Sequence, residues 1–162
     1  MKPLESDVPL TEFQIEVARL FLELQESRGF VLAGGAALVA LGLTNRPTQD
    51  LDLFTSPGSG GVDAAEQALI GAAEARGWRV SRVRVADGFR RLMILGEGKV
   101  LVDLAVDASP TSAPILTQVG PTLPARDLVG RKVIALFDRA AARDFVDVDR
   151  LAEHFGRQEL LT

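Results

Sequence analysis

The chain divides into runs with apolar residues at helical spacing and shorter runs in which apolar and polar residues alternate. Phe13, Val17, Leu20 and Leu24 recur at helical spacing, with Thr11 placed to cap and Gly29 to terminate, so a helix over 11–28 is predicted. Residues 30–33 read as a short strand running into Gly34-Gly35, and residues 36–41 as a second helix closing near Gly42. Residues 44–49 read as a loop, since Pro47 has no N–H to give a ladder. Residues 50–54, Asp-Leu-Asp-Leu-Phe, predict a strand with its polar positions on one side. The run from Thr55 to Gly61 has the most flexible composition in the chain. A third helix follows over about 62–76, with Val62, Ala65, Leu69 and Ala72 on one face and Gly77 as its stop. Residues 78–85, 89–95 and 99–106 read as three strands, joined by hairpin turns at Ala86-Asp87-Gly88 and Gly96-Glu97-Gly98. Residues 107–125 read as proline-rich loop, and two helices over about 125–139 and 143–155 close the chain. The order α-β-α-β-α-β-β-β-α-α predicts an α+β fold: a mixed twisted sheet packed with helices and a short helical C-terminal part. With no linker to divide it, the chain reads as a single domain over 1–162, its core about 11–125 and its C-terminal helices about 125–156.

Composition narrows the chemistry mainly by exclusion. At 47% hydrophobic and 25% charged residues, wholesale disorder is excluded, and 162 residues suffice to bury roughly 70% of the unfolded surface. No apolar run approaches the roughly 20 residues of a membrane helix, and the N-terminus lacks the layout of a signal peptide, so a cytoplasmic protein without membrane contact is expected. The absence of cysteine removes disulfides, thiolate metal sites and cysteine nucleophiles. The single histidine, His154, cannot build a histidine zinc site and reads as a helix-surface residue. The net charge of −4 is unevenly spread. Residues 1–75 carry 4 basic and 11 acidic side chains, whereas residues 76–162 carry 14 and 11. Six arginines (Arg76, Arg79, Arg82, Arg84, Arg90 and Arg91) form a basic patch that suits phosphate contacts equally as well as a solvated strand face.

Asp50 and Asp52 carry the strongest chemical signal. Residues i and i+2 of a strand project from the same face, so both carboxylates share one side of the sheet. Two such anions repel unless a cation or proton lies between them, and oxygen-only ligands favour Mg2+ or Mn2+. Upstream, a strand followed directly by Gly34-Gly35 and a helix presents backbone N–H groups able to receive a phosphate. The segment lacks both the G-x-G-x-x-G of a dinucleotide fold and the G-K-[ST] of a P-loop. A third acidic strand, Val102-Asp103-Leu104, lies downstream, with Asp107 on the same strand face as Asp103. Metal-assisted phosphoryl or nucleotidyl transfer is the chemistry these features suggest.

Gly34-Gly35, followed by a short helix and then Arg46-Pro47-Thr48-Gln49-Asp50-Leu51-Asp52, resembles the nucleotidyltransferase superfamily of the DNA polymerase β-like fold. With Asp127-Leu128-Val129-Gly130-Arg131-Lys132 and Arg143-Asp144-Phe145-Val146-Asp147, the chain is similar in particular to the AbiEii/MenT branch of toxin–antitoxin nucleotidyltransferases. The resemblance implies that Asp50, Asp52 and Asp103 bind Mg2+ or Mn2+, Asp107 being the alternative third carboxylate. It implies that Gly34 and Gly35, with Arg46 and Thr48, contact the phosphates of an NTP. It implies that Lys132 holds the triphosphate and that Asp144 is the acidic residue of the last motif. Ala36 and Ala37 stand where many members place Ser or Thr. The implied reaction moves a nucleoside monophosphate from an NTP to the 3′ end of tRNA, restrained by a cognate antitoxin. Transfer to a small molecule or a protein, or a non-catalytic nucleotide- or partner-binding module, are the alternatives.

Overall fold

A computed structural model describes residues 9–131 together with Asp149 and Glu153. Lys132, Asp144, Asp147 and His154, and most of the two expected C-terminal helices, lie outside the described residues.

Helix α1 (Glu12–Leu22) is anchored by a capping box: Thr11 Oγ1 accepts from Gln14 N–H, and Gln14 Oε1 accepts from Thr11 N–H. The helix is shorter than its periodicity predicts. After Leu22 the chain makes a 3-10 turn over Gln25–Ser27, and Ser27 Oγ donates to the carbonyls of Leu22 and Leu24. These side-chain bonds satisfy acceptors that a continuing helix would use. The buried stripe is Phe13, Gln14, Val17, Ala18 and Phe21, so Leu20 and Leu24 are only partly covered.

Strand β1 (Phe30–Ala33) leads into α2 (Gly34–Ala40), and β2 (Asp50–Thr55) into α3 (Val62–Ala75). Then come β3 (Arg79–Ala86), β4 (Phe89–Leu95) and β5 (Lys99–Val106), as the alternation predicts to within a residue. The 107–125 segment differs from its reading as loop, since it contributes β6 (Ile115–Leu116) and β7 (Pro121–Thr122) to the sheet. A further helix, α4, starts at residue 125 and is described to residue 131.

The seven described strands form one sheet in the order β3-β4-β5-β2-β1-β7-β6. It is mixed: β2 runs parallel to β5 and β1 parallel to β7, while the remaining pairs are antiparallel. Helices α1 and α3 pack on one face, burying Phe13, Val17, Phe21, Ala65 and Leu69 with the sheet's Leu51, Leu53, Leu92, Ile94, Val102 and Leu104. Glu66, buried beneath α3, receives Arg82 at 2.5 Å and Arg90 at 2.9 Å; Arg90 also pairs with Asp63. The strand residues that alternate with this core therefore point to the other face. Among the described residues no helix is long and apolar enough to cross a membrane.

Candidate active site

Strand register draws a line of charges across the face opposite α1 and α3. Asp52 of β2 lies opposite Asp103 of β5, Asp103 opposite Arg91 of β4, and Arg91 opposite Arg84 of β3. Directly facing residues project to the same side, and Asp50 joins them two places back along β2. A cavity of about 690 Å³ opens over this line; its walls include Gly34, Gly35, Arg46, Thr48, Asp50, Asp52, Asp103 and Asp107. The structure thus gathers every described residue expected at the site. Arg84 and Arg91 of the basic patch also line the cavity, as do Phe54, Phe89 and Arg131, which the sequence does not mark as site residues.

The glycine turn is built against the carboxylates. Ala33 pairs with Asp52 across β1 and β2, and the chain then enters α2 through Gly34 at φ +62°. A Cβ at Gly34 would overlap Asp52 Oδ2 and lie 2.9 Å from its Cγ, so the backbone approaches as closely as only glycine permits. A Cβ at Gly35 would stand 3.3 Å from both Arg46 Nη2 and Thr48 Oγ1, which places those two groups beside the turn. No side chain caps the start of α2. The loop carrying Thr48 is held from outside the site: Gln14 Nε2 donates to its carbonyl at 2.6 Å, and its N–H donates to Pro9 O.

Asp103 is 5% exposed, and both of its oxygens accept from Arg91, whose Nε and Nη2 each lie 2.8 Å away. This fork-on-carboxylate geometry is the strongest side-chain pairing available. The hydrogen bond to Asp103 is the largest influence holding Arg91 in its charged form, above even the ordinary arginine range. Burial opposes it, and the fields of Asp103, Asp50 and Asp52 add to it. Asp50 and Asp52 are therefore close enough for their charge to be felt at Arg91. Asp107 instead pairs with Arg131 at the end of β5 and accepts from Ala108 N–H, a loop-fixing role. Of the two candidates for a third carboxylate, Asp103 is the one in register with Asp52.

The six-arginine patch resolves into two faces. Arg82 and Arg90 turn to Glu66 under α3, Arg76 pairs with Glu16 and Arg79 is exposed at the start of β3, while Arg84 and Arg91 face the cavity. Arg82 and Arg84 would share a face in a regular strand. The pairing register shifts between them, leaving Val83 as the extra residue, and this bulge turns Arg84 to the opposite side from Arg82. The guanidiniums of Arg84 and Arg91 sit 5.4 Å and 6.0 Å from the Phe89 ring centroid, and that of Arg131 sits 5.8 Å from Phe54.

The carboxylates at the cavity offer oxygen donors, which suit Mg2+ or Mn2+. Among the described residues no three acidic or histidine side chains gather tightly enough to hold an ion unaided. Magnesium is commonly held by one or two carboxylates together with substrate phosphates. Asp50 and Asp52 beside the glycine turn fit that pattern, with Asp103 braced behind them by Arg91.

Asp127, which opens the later motif, binds the N–H and hydroxyl of Thr111 through Oδ1 at 2.8 and 3.0 Å and so fastens the 107–125 segment to α4. The next turn of α4 brings buried Leu128 and then Arg131 to the cavity wall.

The sequence matches the family model of the nucleotidyl transferase AbiEii toxin of type IV toxin–antitoxin systems over residues 17–162. No curated protein matches the chain. Among solved structures, JHP933 from Helicobacter pylori superposes with a TM-score of 0.67 at 20% identity, over 90% of this chain and 68% of that one. A candidate nucleotidyltransferase from H. pylori gives 0.66 at 22% identity, over 90% and 71%. At these identities the likeness is one of fold, and it bears out the expected α+β nucleotidyltransferase architecture.

Proposed function

Because the chain belongs to the AbiEii family of nucleotidyl transferase toxins, we propose that it moves a nucleoside monophosphate from an NTP to the 3′ end of tRNA, using Mg2+ and releasing pyrophosphate. The observation that carries this reading is the meeting of Asp50 and Asp52 with the Gly34-Gly35 turn inside one cavity. Backbone N–H groups of the turn, with Arg46 and Thr48, receive the triphosphate; Lys132, next in the chain after Arg131, adds a cation by family resemblance. Asp50 and Asp52 would hold Mg2+, which supplies a lowered pKa for the attacking hydroxyl and charge compensation for the leaving pyrophosphate. Arg91 fixes the Asp103 carboxylate in line with Asp52. The acceptor oxygen bonds to the α-phosphorus as the bond to the bridging oxygen of the β-phosphate breaks, and the hydroxyl proton passes to water. No covalent intermediate on the protein is needed: positioning and charge compensation account for the catalysis. Loading the tRNA end would block aminoacylation in the cytoplasm, and the antitoxin that the family implies would restrain it.

The test is incubation with α-labelled NTPs, Mg2+ and total tRNA, with Asp52→Ala as the control. Label on tRNA that the variant fails to give is the expected result. Label on protein or on a small molecule would redirect the acceptor. Tight NTP binding with no labelled product would leave a nucleotide-binding module and end the enzymatic reading.

A further inference from the structure

An in-line displacement needs the attacking oxygen on the far side of the α-phosphorus from the leaving pyrophosphate. On the reading just given, the pyrophosphate lies at the Gly34-Gly35 turn, beside β1 and β2. The acceptor must then enter across Asp52 and Asp103, toward β4 and β3. Adjacent strands lie about 5 Å apart, so Arg84 stands about 15 Å along the sheet from Asp52, with Arg91 between.

What waits there is chemically distinct from the rest of the cavity. Arg76, Arg82, Arg90, Arg91 and Arg131 each have a carboxylate partner. Among the described residues Arg84 has none, and its described contact is the face of Phe89. The Val83 bulge is what turns this guanidinium into the cavity rather than toward Glu66. Phe89 is only partly buried, on the wall of a cavity whose other walls are mostly polar or charged. A partly exposed aromatic ring beside a guanidinium with no carboxylate partner among the described residues suits a ligand with both a planar face and a phosphate. The attraction holding Arg84 over the ring is worth about 0.5–1 kcal/mol at an exposed site, small enough for an entering base to displace.

We propose that Phe89 and Arg84 form the acceptor subsite, the ring stacking on the terminal base of a single-stranded nucleic-acid end and the guanidinium contacting its phosphate. The proposal rests on the nucleotidyl-transfer reading and adds to it the residues that select the acceptor. Arg91 positions Asp103 and borders this subsite.

The test measures binding of a short fluorescein-labelled single-stranded RNA with a 3′-deoxy end, and separately of a non-hydrolysable NTP analogue, in the wild type and three variants. Phe89→Ala should weaken RNA binding about tenfold, and Phe89→Trp should restore it, since any flat ring stacks. Arg84→Gln, at an exposed position, should weaken RNA binding and reduce the slope of log affinity against log salt by about 0.7. Affinity for the NTP analogue should be unchanged in all three. RNA affinity unaffected by both Phe89→Ala and Arg84→Gln overturns the subsite. Equal losses of RNA and NTP affinity in Phe89→Ala also overturn it, by assigning the ring to the substrate's base. If the wild type binds the NTP analogue but no RNA, the subsite falls while nucleotidyl transfer to another acceptor stands. If it binds neither, both readings fall.

Discussion

Gly34 is where a single methyl group tests the geometry most directly. Its φ of +62° lies in the left-handed region, where a side chain costs about 1–3 kcal/mol. In Gly34→Ala the new Cβ would stand 2.9 Å from Asp52 Cγ, whereas carbon contacts settle near about 3.5–4.0 Å. The carboxylate must withdraw by about 1 Å, and a misplacement of that size costs about a hundredfold in rate. The expected outcome is a melting temperature lower by about 2–10 °C and a kcat lower by about a hundredfold. Gly77→Ala separates the two losses. Gly77 has φ +81°, and a Cβ added there would meet nothing within 4 Å, so it carries the backbone strain without a collision. It should show a similar fall in melting temperature and an unchanged kcat. Calorimetry and transfer of α-labelled nucleotide at saturating substrate read the two quantities. If Gly34→Ala melts like Gly77→Ala and keeps wild-type kcat, then the turn does not control the position of Asp52 and the reasoning fails.

Arg91→Leu leaves the buried Asp103 carboxylate without its fork, and urea titration should show a loss of about 2–4 kcal/mol. Adding Asp103→Leu should recover at least half of that, because an apolar pair replaces a stranded charge; a stable single variant would argue that the pair contributes nothing. Glu66→Ala removes the buried carboxylate shared by Arg82 and Arg90, leaving Arg90 its pair with Asp63 and the carbonyls of Ala86 and Phe89, and should cost about 1.5–3 kcal/mol while the folded fraction keeps its transfer rate, since the cluster lies on the opposite face from the cavity. Calorimetric titration with Mn2+ should give weak binding alone and at least about tenfold tighter binding with a non-hydrolysable NTP, by linkage. Tight binding without nucleotide would mean that the protein closes the ion's coordination by itself.

The alternation Asp50-Leu51-Asp52-Leu53 made the two carboxylates legible from sequence, and the sheet places both on the cavity face, opposite α1 and α3. Arg91 was equally within reach. A hairpin closing on Gly96–Gly98 pairs Leu95 with Lys99, and counting back four places on each strand sets Arg91 opposite Asp103. Arg84 was not within reach, because the Val83 bulge breaks the alternation and nothing in the local sequence marks it. Strands β6 and β7 span two residues each, too few for any alternation to register. They exist because the edge of β1 offers Leu32 a partner in Thr122, which is a tertiary fact. The overlong reading of α1 came from counting Leu20 and Leu24 as core. The helix instead buries the Phe13, Val17 and Phe21 stripe, and Ser27 takes up the carbonyls beyond its end.

The same alternation that builds the core also guards the site. Slipping β5 by one residue against β2 would carry Asp103 into the layer now filled by Val102 and Leu104, beneath α1 and α3, and bring those apolar residues to the cavity. Burying Asp103 there would remove it from Arg91, and an unpaired ion in a low-dielectric layer costs several kcal/mol. Withdrawing Val102 and Leu104 from the core would forfeit about 1.5–3 kcal/mol each. Together these approach the about 5–15 kcal/mol by which a domain of this kind is stable at all. The register that sets Asp103 beside Asp52 is thus held by apolar residues that never meet the substrate, and the precision of the charge line follows from the packing on its reverse side.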